Sequence, residues 1–247
     1  YYIRNLEKSG IVKKIGEEPR YGMIAKIFAV ESPVLSTKLY DEGRVIDNSK
    51  STKNPIISEF LFPFIEKGEL NTKIIIGDPY PHGKFDTGGM DACYASEFAL
   101  FLGSHISKIK KNSIKLDIHV TNEDLKENMI IIGGPKYNGI TYKVNKHLPI
   151  HFDEENEWKI ISEKTKEEYK DDLAGIIVKC DNPFNKDKKI LVLAGKRTRG
   201  TLSAVMTITN KLNAILKDID NYNSLGKVVR GVDMDADSVV DSIRILE

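Results

Sequence analysis

Three short, unbroken runs of Ile, Val, Leu and Met, each ending at glycine, constrain this chain more than any other feature. They are Ile74-Ile75-Ile76-Gly77-Asp78, Met129-Ile130-Ile131-Ile132-Gly133-Gly134-Pro135 and Ile190-Leu191-Val192-Leu193-Ala194-Gly195-Lys196. A strand with one wet face alternates apolar and polar residues, whereas an unbroken run suits a strand of a parallel sheet covered on both faces. The glycine past each run lets backbone approach whatever sits at the strand's carboxyl end. The expected fold is α/β, an open, mostly parallel sheet with helices on both faces and one functional edge.

With 247 residues, 40% of them hydrophobic, the chain can bury one large core and has room for a small extra domain. Lys and Arg number 37 against 36 Asp and Glu, a formal net charge of +1, so no global field draws nucleic acid or a membrane surface. Any such affinity must come from a local patch. Cys93 and Cys180 have no second Cys or His at metal-ligand spacing, and read as reduced, buried, inert thiols of a cytoplasmic protein. No stretch approaches the roughly 20 apolar residues of a membrane span, and the start lacks the order of a secretory signal. The chain opens at Tyr1 in what reads as mid-helix, as expected of a fragment.

Residues 1–9 put Ile3 and Leu6 on one helical face, and Gly10 ends the pattern. Val12 to Ile15 and Met23 to Val30 flank a Gly/Pro-bearing segment, Gly16 to Gly22, and read as a β-hairpin. From Glu31 to Asn54 the composition turns polar, the mark of a linker, with Val34, Leu35, Leu39 and Tyr40 placed to lie against the next domain. The expected domains are 1–32, a linker 33–55, and an α/β domain 56–247.

Within that domain Val205, Ile208, Leu212, Ile215, Leu216 and Ile219 recur at spacings of three and four, a core-facing helix over 202–219. Tyr94 to Phe101 and Ser58 to Ile65 read as further helices. Leu173 to Val178 and Ile114 to Val120 read as strands, and Val228 to Val232 is expected to pair with Ser242 to Leu246 across a tight acidic turn.

In such a sheet the strand carboxyl ends and helix amino termini gather on one edge, the default ligand site. Three loops would meet there. The third carries Gly195, Lys196, Arg197, Arg199 and Thr201 before a helix, whose free N–H groups and dipole favour an anion such as phosphate or a carboxylate. The alternative is a solvated basic turn, or salt bridges to Asp78, Asp86 or Asp91. The first loop holds Gly77, Asp78 and His82 with Asp86 and Asp91, a mix suited to a general base or a divalent metal, or to a structural histidine. The second supplies Gly133, Gly134 and Asn138. Asp233, Asp235, Asp237 and Asp241 fall at positions 1, 3, 5 and 9 of a calcium-loop pattern, but Ser238 replaces its glycine and Arg244 its final glutamate. Ca2+ or a turn with solvated aspartates would each account for them. Trp158, the lone tryptophan, reads as packing.

Two resemblances bear on these residues. The segment from Leu6 to Ile15 with the following hairpin resembles the carboxyl half of an archaeal winged helix-turn-helix domain. The likeness implies a groove-facing Tyr1, Tyr2, Arg4, Asn5 and Lys8, and Arg20 near the wing tip. Over 1–26 six basic residues face three acidic ones, a local +3 that suits phosphate contacts, although Glu17 and Glu18 oppose them. A solvated helix-hairpin used for protein contact is the alternative. Ile130 to Asn138, Leu148 to Phe152, Asn182 to Val205 and Val228 to Glu247 together resemble the carboxyl domain of archaeal S-layer proteins and their relatives, a likeness that continues loosely back to Lys73. The combination implies a cytoplasmic DNA-binding transcriptional regulator and homodimer, whose α/β domain senses a ligand, a small anion if the basic turn is its site, or mediates dimerisation, or both. Its rivals are a hydrolase-type enzyme acting on a phosphorylated or nucleotide substrate through His82, Asp78 and the basic turn, and an S-layer-related surface module.

Overall fold

The computed structural model describes residues 2–31, 55–217, 219, 221–237 and 239–247, in two compact units, 1–51 and 52–247. Tyr1, most of the expected linker with Val34, Leu35, Leu39 and Tyr40, and Ser238 lie outside the described residues. No helix among the described residues is long and apolar enough to cross a membrane.

The first unit holds helix α1 (Tyr2–Lys8) and strands β1 (Val12–Arg20) and β2 (Met23–Val30) in an antiparallel hairpin. Gly10 ends α1 at φ +69°, with its N–H bonded to the Glu7 carbonyl and that of Ile11 to Leu6. The expected turn over Gly16 to Gly22 is shorter in the structure. β1 runs on through a bulge between Lys14 and Gly16, and the reversal is the pair Tyr21-Gly22, both at positive φ, which matches the twist of a two-residue hairpin. Ile3, Leu6, Ile15, Met23, Ile24 and Ile27 are all exposed within this unit.

The second unit begins with α2 (Pro55–Leu61), the short strands β3 (Ile65–Glu66) and β4 (Glu69–Leu70), then β5 (Lys73–Ile76), α3 (Ala92–Gly103), β6 (Ile114–Leu116), β7 (Met129–Ile132) and α4 (Gly139–Asn145). It continues with β8 (Ile150–Asp153), β9 (Lys159–Ser162), β10 (Glu168–Tyr169), β11 (Ala174–Asn182), β12 (Asn185–Gly195), α5 (Thr198–Leu216), β13 (Leu225–Val232) and β14 (Ser242–Ile245). The main sheet has seven strands in the order β14-β13-β11-β12-β7-β5-β6.

The sheet is mixed rather than mostly parallel. β6, β5, β7 and β12 run parallel, while β12, β11, β13 and β14 are antiparallel neighbours. The reason is connection length. β11 and β12 are joined through Pro183 and Phe184 alone, far short of the dozen or so residues a parallel crossover needs. Between β13 and β14 the expected tight turn is instead a nine-residue loop, 233–241, because Val232 pairs with Ser242.

Side chains alternate across the sheet with period two, and both faces are dry. On one, Ile74, Ile130, Ile132, Leu191 and Leu193 meet α2, α3 and α5 through Phe60, Phe98, Val205 and Ile208. On the other, Ile75, Ile131, Ile190 and Val192 meet Ile140 and Val144 of α4 and Ile150, Phe152 and Ile160. The second face is thus closed by one short helix and the three-stranded sheet β10-β9-β8, not by helices alone. The helix expected over 202–219 runs from Thr198 to Leu216, with a kink at Lys211 (φ −128°, ψ 19°), and buries Val205 and Ile208 before the kink and Leu212, Ile215 and Leu216 after it.

One buried residue breaks the apolar pattern of the sheet. Lys179 on β11 is fully buried, and its Nζ donates to the carbonyls of Phe60 and Phe62, each at 2.7 Å, satisfying oxygens left over at the end of α2. Burial, with a smaller push from Lys189, pulls its ammonium down to about 7.

Candidate functional site

β5, β7 and β12 are adjacent and parallel, so their carboxyl ends deliver the three glycine-bearing loops to one edge, as expected. The glycines there serve the loops themselves. A Cβ on Gly77 would lie 2.3 Å from the Tyr137 carbonyl oxygen, and one on Gly134 would lie 2.2 Å from that of Gly195. Backbone meets backbone, and no side chain fits between.

Most of the expected ligand-binding residues are spent in the same way. Asn138 is buried and caps α4, accepting from the N–H groups of Ile140 (2.9 Å) and Thr141 (3.2 Å) while its Nδ2 donates to Ile132. Thr201 is buried and its Oγ1 accepts from the Gly195 N–H at 3.1 Å. Asp78 is buried and accepts from the Tyr80 N–H at 2.7 Å, a turn-forming contact. Gly133 lies against the Asp91 carboxyl.

His82 makes no hydrogen bond to Asp78, Asp86 or Asp91 among the described residues, although the Asp78 charge lies near enough to favour its protonated form. Its partner is Asp117, at the end of β6, where the expected strand breaks into a 3-10 turn over Asp117–His119. His82 Nε2 lies 2.8 Å from Asp117 Oδ2, and Nδ1 lies 2.7 Å from the Tyr80 carbonyl oxygen. A carbonyl only accepts, and Asp117 also accepts from the N–H groups of Asp78, Ile118 and Gly139, so both imidazole nitrogens face acceptors, an arrangement that favours the protonated ring. Burial opposes that charge, but the bonds to Tyr80 and Asp117 outweigh it and raise the imidazole above its ordinary value. Both nitrogens are engaged by the protein itself, which supports a structural role for this histidine. Asp86 is exposed, on a left-handed turn at φ +47°.

Asp91 is the outlier of the edge. It precedes α3, is 3% exposed, and its Oδ1 has no hydrogen-bond partner among the described residues. Burial pushes its carboxyl up to about 7, against a small opposing effect from the Thr201 hydroxyl.

The basic turn behaves differently from the interior of the edge. Lys196 Nζ lies 3.1 Å from Asp172 Oδ1, and Arg197 Nε 3.8 Å from Asp172 Oδ2, so the ion-pair partner is Asp172 rather than Asp78, Asp86 or Asp91. Arg199 is exposed and makes no ion pair among the described residues. Lys196 and Arg197 line a cavity of about 270 Å³ with Lys136, Glu157 and Trp158. Lys136, from the second loop, likewise has no ion-pair partner among the described residues.

Trp158 reaches this cavity because the β8–β9 turn is tightly built. Asp153 accepts from the Glu155 N–H (3.1 Å) and from Asn156 Nδ2 (2.6 Å), its carbonyl accepts from the Trp158 N–H (2.8 Å), and Glu157 and Trp158 both sit at positive φ. The indole then packs edge-to-face on Phe85 (5.2 Å) and near Tyr142 (6.4 Å). Lys136, Glu157 and Trp158 do not stand out in the sequence as ligand contacts. Lys136 is legible only as a cation in a glycine loop, and the other two lie far away along the chain.

Elsewhere, Asp233, Asp235 and Asp237 bring carboxylate oxygens within 4.8 Å of one another, whereas Asp241 accepts from the Met234 N–H at 2.7 Å and closes the turn instead of joining them. In the first unit Tyr2, Arg4, Asn5 and Lys8 are exposed, and Arg20 is paired with Glu18 at 3.2 Å. Cys93 is exposed, contrary to the expected burial, because it falls on the outer side of the first turn of α3; Cys180 is half-buried and burial pushes its thiol up to about 11. No family model matches the chain, and no curated protein matches it.

Proposed function

We propose that the α/β domain binds a small anionic ligand at the mouth formed by its second and third loops, and that the chain is a DNA-binding transcriptional regulator that responds to it. The convergence of Lys136, Lys196 and Arg197 on one cavity carries this reading. Three cations against Glu157 and Asp172 leave that mouth with a net charge of +1, although the whole chain is close to neutral. The resemblance of the last 175 residues or so to an S-layer-type domain, and of the first unit to the end of a winged helix, supplies the regulatory setting. Ligand binding would bias how two copies in a homodimer present their helix-hairpin units to DNA.

Calorimetry with inorganic phosphate and sulfate tests the ligand half. Binding that weakens in Lys136→Ala/Lys196→Ala supports it; no heat with these ions or with any nucleotide at millimolar concentration removes it. Gel-shift titration at two salt concentrations tests the DNA half. Arg4→Ala/Lys8→Ala should weaken binding and flatten its salt dependence, and a chain indifferent to DNA would leave a ligand-binding domain without the regulatory role.

A further inference from the structure

The cavity at the basic turn is more than a patch of charge. Its lining joins three cations, one carboxylate and one indole, and each restricts what fits. Lys136 belongs to the loop after β7, and Lys196 and Arg197 to the loop after β12, so positive charge reaches the cavity from two neighbouring strands. A phosphate, with up to two charges and oxygens on every side, uses such convergent donors better than a carboxylate does.

Glu157 argues against a bare anion. A carboxylate in the same wall repels inorganic phosphate, and that repulsion is offset only where the ligand brings a hydrogen-bond donor to it. Trp158 is the lining's apolar surface, and an indole face pairs most favourably with a flat ring. The turn that holds it is fixed by Asp153 and by two successive left-handed residues, so the indole is positioned before anything binds. At about 270 Å³ the space is on the scale of a mononucleotide rather than a larger cofactor.

We infer that this cavity takes a nucleoside monophosphate, its base stacked on Trp158, its phosphate among Lys136, Lys196 and Arg197, and a sugar hydroxyl or base amino group donating to Glu157. The inference rests on the anion-binding reading above and narrows it to one ligand class.

Trp158 is the only tryptophan, so its fluorescence reports on the cavity alone. Titration of the chain with AMP, UMP and inorganic phosphate, followed by calorimetry and tryptophan emission, tests the inference. The nucleotides should quench the emission and bind at least about tenfold more tightly than phosphate, the share expected of one stacked base. Trp158→Leu should lose about that tenfold for AMP while leaving phosphate affinity unchanged, and Trp158→Phe should retain most of it. Glu157→Gln should weaken AMP and strengthen phosphate. Equal affinities for AMP and phosphate, with no quenching, would overturn the nucleotide inference and leave the anion reading standing. Failure of every anion to bind at millimolar concentration would overturn both.

Discussion

Asp91 makes a quantitative prediction possible, because its cost in the folded state is tied to one titration. The carboxyl is buried between the loops with an unpartnered Oδ1, and its folded value of about 7 stands against an ordinary 3.8. A raised acid binds its proton more tightly folded than unfolded, so between these values the folded state holds more protons and stability falls as pH rises. About three pH units at about 1.36 kcal/mol each put the loss near 4 kcal/mol between pH 4 and pH 8. Asp91→Asn keeps the shape of the neutral acid and has no charge to bury. Urea unfolding of both proteins from pH 4 to pH 8, followed by far-ultraviolet circular dichroism, should give nearly equal stabilities at pH 4. The variant should then gain progressively, to about 4 kcal/mol at pH 8. A stability difference that does not change with pH would refute the reasoning, since only the titration of this carboxyl distinguishes the two chains.

Asp117→Ala should cost about 3 kcal/mol, measured by the same unfolding assay, because it strands the buried N–H of Asp78 and the half-buried N–H of Gly139 and removes the carboxylate beside His82. His82→Gln should be destabilising below about pH 6.5, with the deficit shrinking as pH rises through the raised folded value, the order expected when folding favours the protonated form. Any phosphoesterase activity found in the chain should survive His82→Gln, since neither ring nitrogen is free; loss of turnover in a folded variant would restore the histidine as a base. Lys179→Met should flatten a rise in stability between about pH 7 and pH 10, because the unfolded lysine holds its proton over that range and the buried one does not.

The sheet edge shows where a sequence reading of a site stops. Ile74-Ile75-Ile76-Gly77 and its two counterparts announce buried strands and the loops at their ends, and the loops do meet. The same glycines are compatible with a ligand lying across them or with the neighbouring loop lying there. Only the 2.2 Å between a would-be Gly134 Cβ and the Gly195 carbonyl oxygen decides for the loop. His82 shows the same limit: a histidine among aspartates is legible, but its partner Asp117 lies 35 residues away, inside a segment that reads as strand.

What the order of residues determined by itself is local. Apolar runs of three to five residues, rich in Ile and closed by glycine, specify buried strands because they are too short for a buried helix, the three-and-four spacing from Val205 to Leu216 specifies one face of α5, and Gly10 specifies the end of α1. Tertiary structure decided everything that depends on distant partners. It set the antiparallel half of the sheet, since strand order is a matter of which edges meet. The second face was closed by β8, β9 and β10, short strands in a charged stretch whose pairing energy is non-local. Glu157 and Trp158 were carried from that small sheet to Lys136, Lys196 and Arg197, because a cavity is a property of surfaces brought together and has no period along a chain.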